Sequence, residues 1–240
     1  MAQSQVLQNA IEKEKVVSLF TEKKFLLLWF TLFASGFSVS FFMFITNWYV
    51  VDFLKVEAML GLVFFASSVP RILFMLLGGA IADRISKAWV MFISDVTKGI
   101  LLLGVIGLLF FDILTIWPLI ILAFIFGVLD AFFWPASSSI LPMIIKKEQL
   151  TKANSVLNMT QQASLIAGPL LAAVILGFGG YITVFAFTAI LLLLAGVADL
   201  VIKKLMDHEA EGVLAKQNQR KQNIIHSLKE GFRYVKKTPF

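Results

Sequence analysis

Long apolar runs alternate with short charged connections along almost the whole chain. Six such runs cover residues 25–50, 58–82, 88–111, 117–140, 153–176 and 181–202. Each is close to the roughly 20 mostly apolar residues that one helical crossing of a bilayer core requires. Barrel strands would be about half as long and would alternate strictly, whereas small and polar residues here recur near the 3.6-residue helical period. The pattern predicts an all-α, polytopic membrane protein with six transmembrane helices. Residues 1–24 form a polar tail, 25–202 the six-helix bundle, and 203–240 a basic linker. Within that linker Ile224, Ile225, Leu228, Phe232 and Val235 recur near helical spacing. This fits an amphipathic helix on the inner leaflet and equally a solvated linker helix. The final "KKTPF" is how a further span would begin.

Composition supports the pattern. The chain is 59% hydrophobic and 15% charged, with a mean hydropathy of +0.86, whereas a soluble domain is about half apolar and about a quarter charged. The polar first 24 residues argue against a cleavable leader. Cysteine is absent, which excludes a disulfide framework and Cys-ligated metal.

The net charge of +6 suggests nucleic acid until the charges are placed. Eighteen of the 21 Lys/Arg residues then fall on one side, in the N-terminal tail, after spans two and four, and after span six. The other side holds Lys55, and the spans hold Arg71 and Lys98. Lysine and arginine are retained on the cytoplasmic side. A cell-membrane protein with both termini cytoplasmic is therefore expected, with the lipid bilayer and not nucleic acid as its partner.

Charges inside spans are costly unless paired or wet. Arg71 lies roughly 16 Å from the inner end of span two at 1.5 Å per residue, and Asp95 and Lys98 about 12 and 16 Å into span three. Asp95 and Lys98 are one turn apart and share a face. A buried Arg71–Asp95–Lys98 cluster is expected, either structural or taking part in transport. Asp130, mid-way along span four, has no opposite charge within a turn on its own helix. It is a candidate site for a cationic substrate or a proton, or else a carboxylate in a wet vestibule. Asn154, Asn158 and Gln161 share one face of span five, as substrate lining or as hydrogen-bonded packing. No catalytic constellation, P-loop or metal-ligand grouping is present, so no enzyme activity, cofactor or metal is expected.

Spans one and four echo each other in "GFSVSFF" (Gly36 to Phe42) and "GVLDAFF" (Gly127 to Phe133), both G-x-x-x-x-F-F. The two spans run in opposite directions, as in the inverted three-helix repeats of transporters.

Three motifs carry a family resemblance. Gly79-Ala-Ile-Ala-Asp83-Arg84-Ile-Ser-Lys87 resembles the G-x-x-x-D-R-x-G-R-K signature of the major facilitator superfamily, with Ser86 in place of the second glycine. The resemblance implies that this chain is the N-terminal half of a twelve-helix transporter, with a C-terminal six-helix half as its expected partner and a cytoplasmic latch between the two. A positive-inside turn with an Asp capping the next helix would carry the same residues. "SLIAGPLLAA" in span five resembles the antiporter signature g-x-x-x-G-P-x-x-G-G, through Gly168 and Pro169. It implies a hinge built from close packing and a lost backbone donor. "GVLDAFFWPASSSILP", the later Leu150, Ala153 and Asn154, the "VPR" at Val69–Arg71, and Asp95 resemble the macrolide-efflux and siderophore-exporter branch. This implies a secondary active exporter of a small lipophilic molecule working by alternating access. Ala123 stands where many drug–proton antiporters of the superfamily carry an arginine, so their coupling scheme does not transfer. The competing reading is a non-transporting, truncated or partner-dependent six-helix module.

Overall fold

The computed structural model describes the backbone of residues 19–82 and 85–237, and the side chains of 19–75 and 85–208. The described chain is helical. Helix α1 spans Lys23–Trp48 and continues as a π-helical segment, Tyr49–Phe53. Helices α2 (Leu60–Ala82), α3 (Lys87–Phe110) and α4 (Ile116–Ile144) follow. A helical run, Leu150–Lys237, completes the order as α5.

The run α5 contains two crossings. Residues 147–208 are apolar enough to span a membrane but number 62. At 1.5 Å per residue that is about three times a 30 Å hydrocarbon core. The helix breaks at Gly180, whose φ of 71° and ψ of −174° lie where only glycine sits without strain. Residues 150–179 form span five and 181–202 span six, while α1 to α4 are spans one to four. Lys55 and Asp112 take left-handed conformations in the first and third connections, which reverses the chain in few residues.

Two units separate at Ile202 and Lys203. Within the second, Lys203 Nζ lies 2.8 Å from Asp207 Oδ2, one turn on.

Inside the first unit the two echo glycines have matching tasks. A Cβ added at Gly127 in span four would collide with the backbone carbonyl of Ser67 in span two. A Cβ added at Gly36 in span one would sit 3.2 Å from the Ser164 hydroxyl in span five. So the first helix of each three-helix repeat packs its glycine on a serine of the other repeat's second helix. This pairing of spans one with five and four with two is what an inverted repeat produces. Close approach at small residues replaces hydrophobic driving force between membrane helices.

The apolar core draws on all six spans, with spans one, four and six contributing most of it. Phe41, Phe42, Phe126, Phe133 and Phe185 are buried there, with Phe42 and Phe126 stacked at 4.1 Å. Many large residues point outward, such as Phe178, Ile72 and Leu194. That is the reverse of a soluble domain and is expected where lipid is the solvent.

Candidate functional site

The interior charges form around Lys98. Its side chain is fully buried, with Nζ 2.5 Å from Asp130 Oδ1 and 3.8 Å from Asp95 Oδ1. The ammonium also lies 5.0 Å from the centre of the Phe133 ring. Ser35 of span one donates a hydrogen bond to Asp95 Oδ2, and Ser94 of span three donates to the Leu129 carbonyl at 3.2 Å. Spans one, three and four are thus tied together where water is excluded.

This corrects the expected Arg71–Asp95–Lys98 cluster. Asp95 and Lys98 are together, but Arg71 is not with them. It is exposed, has no acidic partner among the described residues, and lies 5.8 Å from the centre of the Trp134 ring. Depth along a helix axis says nothing about rotation around it, and span two turns Arg71 toward spans one, four and five. Asp130 takes the place in the cluster expected for Arg71. It is buried and paired by a residue of the neighbouring helix, which reading span four alone could not reveal.

Arg71 lines a groove of about 660 Å³ between spans one, two, four and five. Gly36, Ser40, Met43, Asn47, Trp134, Gln161 and Gln162 also line it, and no acidic residue does so. A smaller recess of about 150 Å³ holds Arg71, Ser67, Ser68 and Asp130, so the carboxylate bound to Lys98 also borders space beside the groove. A third recess, about 90 Å³, is lined by Asn154, Asn158 and Gln161 together with Ser137 and Ser138. The three span-five amides therefore do share a face, and it is open.

Pro169 borders the same groove from span five, and Gly168 precedes it. A Cβ at Gly168 would lie 2.6 Å from Ser40 Cβ, which no real contact tolerates, so spans one and five meet with nothing between them. Pro169 lines the groove and lies inside the helix. Asp83 and Arg84 of the expected latch, and the surroundings of Gly79, lie outside the described residues. Lys87 begins α3 and is half-buried. The side chains of the expected amphipathic linker helix lie outside them as well.

Asp199 was missed by sequence reasoning. It is fully buried in span six, and neither carboxylate oxygen has a hydrogen-bond partner among the described residues. The signal was present, since an aspartate within "AGVADLVI" is as conspicuous as one mid-span. Nearness to the predicted end of the span concealed it.

A bundle of apolar helices with paired charges inside and a cation-bearing groove among the described residues defines a polytopic membrane protein. The Major Facilitator Superfamily model matches residues 28–240, and the chain belongs to that family. It is 24% identical over 182 residues to the uncharacterized MFS-type transporter YfiS of Bacillus subtilis (strain 168), covering 75% of this chain and 41% of that protein. It is 37% identical over 67 residues to the uncharacterized MFS-type transporter YjbB of the same organism, covering 28% of this chain and 15% of that one. The chain thus spans about two-fifths of the first relative's length. No solved structure matches it.

Proposed function

We propose that this chain is the N-terminal six-helix half of a secondary active exporter in the cell membrane, with both termini cytoplasmic. It works by rocking against a C-terminal six-helix half, with the substrate held between them. The observation that carries this reading is the groove on spans one, two, four and five. It is large enough for a small molecule, includes Pro169 in its lining, and is open on one side. A second half would close that side.

The groove's lining narrows the substrate. Phe44, Phe64, Met43 and Leu165 suit an apolar body. Arg71, Gln161, Gln162 and Asn47 offer donors, and Asp130 of the adjoining recess is committed to Lys98. A lipophilic molecule with an anionic or acceptor-rich head fits better than the cation first expected at Asp130. The efflux direction, the macrolide or siderophore branch, the ion coupling and the latch role of Gly79, Asp83, Arg84 and Lys87 rest on the sequence resemblance. The test is accumulation of a lipophilic anionic dye in cells producing this chain with a C-terminal half. Lower accumulation that a protonophore abolishes supports the reading. Accumulation equal to that of control cells contradicts it.

A further inference from the structure

A further recess, of about 560 Å³, lies between spans one and two at the ends joined by the Lys55 connection. Phe44, Asn47, Trp48 and Val51 line it from span one and its π-helical end, at the spacing of one helical face. Leu60, Gly61 and Phe64 line it from span two. None of these residues is charged, and Asn47 alone brings a polar side chain. The Phe44 and Trp48 rings stack, with centroids 5.9 Å apart and planes 15° from parallel, so part of the wall is flat and aromatic.

The recess continues the groove that holds Arg71. Phe44, Asn47 and Phe64 line both spaces, which therefore meet at these three side chains. Span two shows the change of chemistry along the path. Leu60, Gly61 and Phe64 come first, then Ser67 and Ser68, then Arg71. Spacings of three and four residues keep them on one side of the helix. Leu60 and Arg71 are eleven residues apart, roughly 16 Å along the axis. Donors gather at the Arg71 end, where Gln161 and Gln162 join it, and apolar surface fills the other end. A compact ring system would occupy the groove and leave the recess empty, whereas an unbranched chain reaches through both.

We propose that the recess is a subsite for the apolar chain of a single-chain amphiphile whose anionic or acceptor-rich head is held by Arg71. The head then lies inside the bundle and the chain end points toward the Lys55 connection. As a transported molecule this amphiphile rests on the transport reading above. As a bound ligand it does not, because every residue named lies within this chain. The bound orientation is also the reverse of that of an amphiphile free in the bilayer, whose head stays at the surface and whose methyl end reaches the midplane.

The two ends of the path carry their own reporters, since Trp134 lines the groove beside Arg71 and Trp48 lines the recess. The test is quenching of tryptophan fluorescence in the purified chain in lipid nanodiscs. The quencher is an unbranched fatty-acid anion bearing a nitroxide either beside the carboxylate or near the methyl end. Two variants keep only Trp134 or only Trp48, with phenylalanine at the other tryptophan positions. The carboxylate-side label is expected to quench Trp134 more strongly, and the methyl-side label Trp48. The opposite order, which a chain free in the bilayer gives, overturns the proposal, and so does equal quenching by both labels. Gly61→Leu fills the recess, and folded yield should hold because a Cβ at Gly61 meets nothing within 4 Å. It is expected to raise the fatty-acid concentration needed for methyl-side quenching by roughly tenfold or more, as each methylene kept from apolar contact costs about fourfold. An unchanged concentration overturns the proposal. The second arm is export of a long-chain anionic dye by this chain with a C-terminal half. Gly61→Leu is expected to lose most of it, while Gly104→Leu, in open space on span three, keeps the wild-type rate. Equal export by the two variants overturns the recess as part of the transport path. If the wild type exports nothing, the transport reading fails while the quenching arm still decides the site.

Discussion

Lys98 of span three and Asp130 of span four are joined at 2.5 Å in the interior of the bundle. The contact closes a set in which Asp95 and Ser35 are the other members, so three helices depend on one ammonium. Removing one partner of a buried pair leaves the other charge stranded and costs about 3–5 kcal/mol. Lys98→Met should therefore sharply reduce the yield of folded protein in detergent, measured by size-exclusion chromatography. Adding Asp130→Asn to Lys98→Met should recover part of it. Wild-type yield for Lys98→Met alone would show that the pair is dispensable.

Arg71 should behave in the opposite way. It is exposed to the groove and has no acidic partner among the described residues, so folding does not rely on it. Arg71→Gln should keep wild-type yield and reduce export of a lipophilic anion by roughly tenfold or more, the size expected for losing a charge-assisted contact of about 1.5–3 kcal/mol. Lysine should restore this only in part, because it lacks the planar fork. A loss of folded yield in Arg71→Gln would place Arg71 back among the structural charges.

The echo glycines differ in how much their neighbours can give. Gly127 faces the carbonyl of Ser67, which is backbone, whereas Gly36 faces the rotatable Ser164 hydroxyl. Gly127→Ala should cost about 1–3 kcal/mol or more through overpacking, and Gly36→Ala less. Gly104, with nothing within 4 Å of an added Cβ, is the control that should tolerate alanine. Thermal unfolding in detergent, compared across the three variants, checks the order.

Gly180 sets the turn between spans five and six. Its φ and ψ are open to glycine alone, so Gly180→Ala should cost roughly 1–3 kcal/mol. Gly177 lies three residues earlier with open space around its Cβ and should accept alanine without loss. Equal melting temperatures for the two variants would show that the break at Gly180 is not required.

Much of the fold could be read before any coordinates. Run lengths and the placement of lysine and arginine yield six spans, because bilayer thickness and charge cost act on each span separately. The Asp95–Lys98 contact was also legible, since a three-residue spacing puts both on one helical face. The partner of Asp130 was not, because periodicity along one helix does not say which neighbour lies opposite. The same gap explains Arg71, because position along a span does not fix which way a side chain faces. Asp199 shows a different limit: a residue near a predicted helix end reads as solvated until the packing shows that it is buried. The G-x-x-x-x-F-F echo gained most from the structure, which gives both glycines the same packing task in opposite repeats.

The central claim is that the face carrying Gln161 and Asn47 borders a water-filled cavity closed by a second half, whereas the opposite surface meets lipid. The chain has no cysteine, so single ones can be introduced without background. The most direct measurement is labelling with a charged, membrane-impermeant thiol reagent in native membranes, comparing Gln161→Cys and Asn47→Cys with Ile190→Cys and Leu194→Cys. All four positions lie within predicted spans, and Ile190 and Leu194 are exposed on span six. The account predicts labelling at Gln161→Cys and Asn47→Cys and none at the span-six pair. Silence at both groove positions, or equal labelling at all four, would contradict it.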